Sequence, residues 1–192
     1  MRKLIPVAAL SVLAAGCLPH NIGAPGTTVH PADAADGGAT SSAMDMSDMT
    51  PTAAMPYVMM AGASDLYEIQ SSQMALQRAT RPEVRQYAQM LIQHHQMTTQ
   101  QVMAAARAAG MSPPPPRLLP MQRQMIAQLQ SAGGDFDRVY ISQQVPAHQM
   151  ALGLHSNYAD NGDTPSLQAV ARSAVPLVTQ HLQQAQRMMG MM

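Results

Sequence analysis

The chain is poor in the residues that usually anchor a protein core. Its 192 residues include no tryptophan, one phenylalanine and five tyrosines. An interior built from this composition must rely on Leu, Val, Ala and Met. The single cysteine excludes an internal disulfide. Charge is equally scarce: 11% of residues are charged, with 11 basic against 11 acidic side chains and a formal net charge of zero. That leaves no basic stripe for nucleic acid and no acidic block that would act as a solvating tail. No segment reads as a strand. At this length one domain and a tail fit, and two domains do not fit comfortably. The residue in excess is methionine, with 19 copies.

The first residues have the layout of an export signal, with Arg2 and Lys3 ahead of the apolar run 4–15 and small residues leading into Cys17. The run is too short to span a bilayer comfortably. A cysteine placed after Ala14-Ala15-Gly16 resembles a lipobox, with Leu13 one place earlier than the favoured position. Two readings follow: a diacylated Cys17 on an outer-membrane lipoprotein facing the periplasm, or ordinary cleavage beside an incidental cysteine. On the first, residues 1–16 are the signal peptide and the lipidated N-terminus is the membrane contact. Loss of Arg2 and Lys3 takes the basic count from 11 to 9 against 11 acids, about −2. Residues 17–55 are rich in Pro, Gly, Ala, Ser, Thr and Asp and lack apolar periodicity, so they read as a flexible tether.

Residues 56–192 turn helical. A first helix is expected over about 57–80, with Gly62, Leu66, Ile69 and Leu76 on its seam. Pro82 opens a second helix reaching about 109, where Val84, Ala88, Leu91, His95, Thr98, Val102, Ala105 and Ala109 recur at steps of four and three. Gly110 and the run Pro113–Pro116 end it. A short crossover helix spans about 120–131. The next helix starts with Asp135 as N-cap and runs to about 160, with Ile141, Val145, His148, Leu152, His155 and Ala159 on its seam. Thr164-Pro165 caps and opens the last helix, whose seam carries Leu167, Ala171, Ala174, Val178, His181, Ala185, Met188 and Met192. The fold class is therefore all-α: two hairpins joined by a longer crossover, which is the connectivity of a ferritin-like four-helix bundle with a short extra helix.

Three imidazoles, His95, His148 and His181, interrupt apolar seams. One such histidine is more often a satisfied core residue. Three on three helices are harder to place, because each buried imidazole needs a hydrogen-bond partner or a metal. Glu68 lies about 18 Å before the first turn and His95 about 21 Å after it. His148 and His181 lie about 21 Å and about 26 Å from the second turn. Each pair is thus level within about one helical turn, while spacing leaves open whether the two pairs share a level. Glu68 stands about 100° off the leucine seam, among Ala61, Ser64, Ser71, Ser72 and Ala75, so a solvated face is the competing reading. Three imidazoles and a carboxylate suit a single Cu, Zn or Fe ion. They do not suit a di-iron oxidase, which needs about four carboxylates and two Glu-x-x-His motifs. His94, Gln144, His155 and Gln180 are the expected hydrogen-bond partners around the ligands. Pro146 and Pro176 interrupt helices just before His148 and His181 and are expected to bend them there.

Methionine clusters give a separate signal. Met44, Met46 and Met49 in the tether, and Met188, Met189, Met191 and Met192 at the C-terminus, offer thioethers, which prefer Cu(I). The alternative is methionine standing in for leucine in a loosely specified core, which accounts for Met74, Met90, Met125 and Met150.

The segments Ala63-Ser64-Asp65-Leu66-Tyr67-Glu68-Ile69, Tyr87-Ala88 through His94-His95, Phe136-Asp137-Arg138-Val139-Tyr140 with His148, and Pro176-Leu177 with His181-Leu182 carry a family likeness. Together they resemble the exported bacterial domain-of-unknown-function family 4142, over about residues 56–188. The resemblance implies a ferritin-like bundle in the periplasm or outer envelope, without an established activity. Glu68, His95, His148 and His181 stand where the family's motif has its Glu and three His. The family usually has Asp before the first of these histidines. Here that place holds His94, which weakens the case for an acidic ligand from the second helix and shifts the expected coordination towards nitrogen.

Three functions remain open on sequence grounds: a non-enzymatic metal-binding envelope lipoprotein, a structural or stress-related bundle without metal, and a redox enzyme at a mononuclear metal site. The sequence names no protein partner.

Overall fold

The computed structural model describes residues 50–192. The signal segment, Cys17, most of the tether, and Met44, Met46 and Met49 lie outside the described residues. Five α-helices follow in order: α1 (Ala54–Arg78), α2 (Pro82–Ala108), α3 (Pro120–Ser131), α4 (Phe136–Asn161) and α5 (Pro165–Met189). A 3₁₀ turn, Gly133–Asp135, precedes α4. There is no strand among the described residues. α1 pairs with α2 and α4 with α5, and the two hairpins meet through α1–α4 and α2–α5. α3 packs across α1 and α4. This is the ferritin-like bundle with a crossover helix that the helix spacing predicts.

Proline sets the helix starts, standing first in α2, α3 and α5, where its missing N–H has no helical partner to lose. Gly110, in the left-handed region at φ 77°, follows the end of α2. Two sequence-predicted caps work differently from expectation. Neither Asp135 nor Thr164 makes a side-chain cap bond. Asp135 closes the 3₁₀ turn instead, and the Thr164 hydroxyl donates to Asp163. Capping of the first hairpin comes from the second. The Asp137 carboxylate on α4 accepts from Thr80 N, Thr80 Oγ1 and Arg81 N at 2.8–3.1 Å, holding the start of α2. Asp163, in the α4–α5 turn, accepts from Ala54 N at 3.3 Å and donates its own N–H to Thr52 O.

The interior has three layers. One apolar cluster gathers Ala75, Val84, Tyr87, Leu91, Leu129, Phe136, Tyr140, Ile141 and Ala185. A second, at the other end, gathers Tyr57, Val58, Val102, Leu154, Tyr158 and Leu167. Between them lie most of the buried polar side chains, Asp65, Glu68, Ser71, Ser72, His95, Thr98, Gln144, His148 and His181, among small or aliphatic neighbours such as Ala147, Ala174 and Val178.

The expected face of α1 is corrected here. Leu66, Ile69 and Leu76 are only half-buried, while Ala61, Asp65, Glu68, Ser71, Ser72 and Ala75 form the buried stripe. Small side chains let the neighbouring helices approach, and the larger aliphatics take the flank. On α2 the inner seam passes through Ala106 in place of Ala105 and stops there; Ala109, expected to continue it, is the exposed C-cap. Val145 and Leu152 of α4 are half-buried, and Gln144, Ala151 and Leu154 take interior places. Both α4 and α5 run unbroken through Pro146 and Pro176, which are exposed, so each proline's missing hydrogen bond falls on the outer face.

Candidate metal centre

α2, α4 and α5 each place one histidine in the central layer. His95, His148 and His181 are buried, at 3%, 0% and 0% exposure. Their ring centroids are 5.3–5.6 Å apart. One ligand nitrogen from each lies within 4.8 Å of the others. Three nitrogens bound at about 2.1 Å stand about 3.4–3.6 Å apart, so from the 4.8 Å limit closure on one ion draws each inward by about 0.7 Å. The two hairpins therefore share the level that helix spacing alone leaves open.

Each imidazole has one nitrogen engaged and one free. His95 Nδ1 bonds to Asp65 Oδ1 at 2.8 Å, His148 Nδ1 to the Gln144 carbonyl at 2.9 Å, and His181 Nε2 to His94 Nδ1 at 2.8 Å. His95 Nε2, His148 Nε2 and His181 Nδ1 are buried without any hydrogen-bond partner. A protonated remote nitrogen fixes the tautomer that leaves the inner nitrogen with its lone pair, as metal-bound imidazoles require.

Glu68 of α1 completes the layer at 1% exposure. Its Oε1 lies 3.8 Å from His148 Nδ1, and neither carboxylate oxygen has a hydrogen-bond partner. The solvated-face reading of Glu68 is thereby overturned. A buried carboxyl without donors holds a proton or faces a cation. Burial pushes it up to about 7, against the pull of the neighbouring His95 and Gln144 side chains. Burial, then the charge of His95, pushes His148 down to about 3. His181 is lowered by burial and by the three histidines around it. Burial also draws His95 down, but the hydrogen bond and charge of Asp65, with the charge of Glu68, leave it above its ordinary value.

The remaining sequence-predicted residues fall in several places. His94 is half-buried, its ring stacked on His181 at 5.1 Å between centroids. Gln144 is fully buried beside the ligands, its Nε2 donating to Ser71 Oγ at 3.4 Å and its Oε1 unpaired. His155 lies away from the ligand trio, where its Nδ1 meets the Tyr57 hydroxyl at 3.0 Å and burial pushes it down to about 4. Gln180 is on the exposed face of α5. Met188 is buried in the apolar cluster nearest the α1–α2 turn, while Met189, Met191 and Met192 are exposed.

Sequence reasoning missed a supporting role for Asp65. It is 4% exposed, and besides His95 it accepts from Thr98 Oγ1 and Thr99 Oγ1, both at 2.9 Å. The signal was available in its spacing, since Asp65 and Glu68 stand three apart and share a helix face. Tyr87 was missed as well; its hydroxyl donates to the His181 carbonyl at 3.1 Å and ties α2 to α5 beside the site.

Residues 39–188 match the family model described as a domain of unknown function, DUF4142. The chain belongs to that family. No curated protein sequence matches it significantly. Among solved structures, it is similar to CopM in the Cu(II)-bound form, at 20% identity and TM-score 0.62, covering 72% of this chain and 96% of that one. CopM in the Cu(I)-bound form aligns at 22% identity and TM-score 0.61, covering 70% and 94%. A DUF305 fragment from Deinococcus radiodurans aligns at 18% identity and TM-score 0.63, covering 74% and 98%. At these identities the likeness establishes the helical-bundle fold.

Proposed function

We propose that this DUF4142 member binds one divalent transition-metal ion between its two hairpins, with Glu68, His95, His148 and His181 as ligands. One observation carries the reading: three buried imidazole nitrogens without a hydrogen-bond partner lie within 4.8 Å of one another, and the buried Glu68 carboxylate, 3.8 Å from His148 Nδ1 in the same layer, has no partner on either oxygen. Leaving such atoms unpaired costs about 1–3 kcal/mol each, and a single cation bound by the three imidazoles and one carboxylate oxygen relieves most of them. Charge supports the same reading. Asp65 and Glu68 together carry two negative charges when ionised, which a divalent ion balances inside a medium that tolerates little net charge.

All four coordination positions of a tetrahedral ion are filled by protein side chains. Catalytic sites of this type keep one position open for water or substrate. The proposed role is therefore metal holding, with the ion also serving as a cross-link between helices, rather than catalysis. Copper is the favoured ion. The nitrogen-rich donor set suits it, divalent copper binds such donors more tightly than zinc or iron does, and CopM, of the same fold, has been solved in Cu(II)-bound and Cu(I)-bound forms. The exposed Met189, Met191 and Met192, together with Met44, Met46 and Met49, are proposed as auxiliary Cu(I) contacts.

The decisive measurement is metal content of the full chain, purified without a histidine tag and offered Cu(II), Zn(II) and Fe(II) in competition. One equivalent in the wild type and none at this site in His95→Ala/His148→Ala is the expected outcome. Equal content in the two proteins would return the bundle to a purely structural role. No described helix is long and apolar enough to cross a membrane. The proposed attachment is the lipidated Cys17 of an envelope lipoprotein, and Cys17→Ser is expected to move the protein from the membrane to the soluble fraction.

A further inference from the structure

The crossover helix α3 covers a second cavity, on the α1–α4 flank beside the histidine layer and of different chemistry; Tyr67 and Ala147, chain neighbours of Glu68 and His148, help line it. It has a volume of about 30 Å³, room for one or two waters or a single ion. Three helices each contribute one thioether to its lining: Met60 from α1, Met125 from α3 and Met150 from α4. All three methionines are half-buried. No charged side chain lines this cavity.

On either side it adjoins larger open cavities. One, of about 400 Å³, shares Met60 and Leu119 with it and adds Met59 and Met103. The other, of about 330 Å³, shares Met125 and Met150 and adds Met121. Met59 and Met121 are 52% and 41% exposed, so methionines run from the surface to the small cavity on both sides. The wall of the larger cavity is the run Pro114–Pro116, seated against α1 at Gly62. A Cβ on Gly62 would stand 3.1 Å from Pro116 Cγ, so the bare glycine is what lets this wall close.

We infer that Met60, Met125 and Met150 form a second metal site, specific for a soft monovalent cation of the Cu(I) or Ag(I) type. Thioether sulfur is a soft, neutral donor that prefers such ions. The uncharged lining sharpens the preference. The cost of removing an ion from water rises with the square of its charge, so a divalent ion pays about four times as much here with no carboxylate to offset it. The histidine layer has the opposite character, with two carboxylates and nitrogen donors. Met60 and Glu68 are about 12 Å apart along α1. On α4, Met150 lies two residues past His148 and about 200° round the helix, so the thioethers stand on the flank that α3 covers and the imidazoles on the interior face. The protein thus holds a divalent and a monovalent ion in different places, sorted by donor softness and local charge.

The test uses the full chain and Met60→Leu/Met125→Leu/Met150→Leu, with Ag(I) as a redox-inert probe. Leucine keeps the volume and removes the sulfur, a change that folded cores tolerate. The triple variant is expected to bind one Ag(I) equivalent fewer, while its zinc or Cu(II) content at the histidine site matches the wild type. X-ray absorption of the Cu(I)-loaded wild type is expected to show sulfur scattering that the variant loses in part. A helical triple variant that binds as many Ag(I) ions with unchanged affinities would overturn the proposal. Should the triple variant not fold, Met150→Leu alone is expected to weaken one Ag(I) site about tenfold or more; unchanged binding there is equally fatal. Because the histidine site is read in the same samples, failure of one site is distinguishable from failure of the other.

Discussion

Around Tyr87, Leu91, Tyr140 and Ile141 the bundle interior is filled by apolar side chains. One or two turns further along the same helices it holds Glu68, Gln144 and three imidazoles. All the buried side-chain nitrogen and oxygen atoms that lack a partner, among the described residues, fall in this second region. The tyrosines of the apolar ends, by contrast, have their hydroxyls paired: Tyr140 with Ser72 Oγ at 2.8 Å, Tyr87 with the His181 carbonyl and Tyr57 with His155. Polar groups are thus not carelessly buried in this protein. Where they are structural they are satisfied, and where they are unsatisfied they share one layer, in which three imidazole nitrogens converge. That difference separates a core histidine from a ligand more sharply than burial does.

The comparison breaks most visibly if the ends do not carry the stability. Leu129 is fully buried beside Phe136 and Tyr140. Leu129→Ala should cost about 2–5 kcal/mol in urea unfolding, with metal content unchanged. In the central layer of the metal-free protein the sign should reverse. Below its unfolded pKa of 4.5, Glu68 is protonated in both states and costs nothing. As pH rises from 4.5 through about 7 the unfolded chain ionises first, and the folded state loses stability. Glu68→Gln, in chelator, should therefore be more stable than wild type at pH 8 by on the order of 1–3 kcal/mol, with the gap closing by pH 4.5. His148 and His155 act in the opposite sense, losing stability as pH falls below 6.5, but they are common to both proteins and drop out of the difference. A constant gap across this range would sink the picture of an unpaired carboxyl.

A smaller effect sharpens the site itself. Asp65→Asn keeps the shape and removes the charge behind His95. It should weaken metal binding about 10–100-fold while leaving one equivalent bound at saturation. The exposed Gln180→Ala should leave the titration unchanged and serves as its comparator.

The helices were legible in the sequence because their punctuation is local. Pro82, Pro120 and Pro165 stand at helix starts, and Gly110 with the following prolines ends α2. The seams of α2 and α5 were legible because most of their members are apolar. The face of α1 was not, since its buried stripe is written in Asp, Glu, Ser and Ala, the vocabulary of an exterior. Leu66, Ile69 and Leu76 were the louder signal and mark the flank. The ligand histidines could be named from their places on apolar seams. Their convergence could not, because the relative height of two hairpins depends on how the crossover and α3 seat against α1 and α4. Gln180, an expected hydrogen-bond partner, is next to His181 in the chain, but adjacent residues on a helix point about 100° apart and it lies on the exposed face.

The aspartates that cap the first hairpin from the second have a consequence for how the molecule breathes. Asp137 holds the start of α2 at one end of the bundle, and Asp163 holds the start of α1 at the other. Local fraying at either helix start must first break a bond to the opposite hairpin. Amide hydrogen exchange in those first turns should then follow the parting of the hairpins, with protection close to that of the core, where ordinary helix ends exchange within their own fluctuations. The two hairpins are in this sense a single cooperative unit, fastened at the places where helical proteins usually come loose.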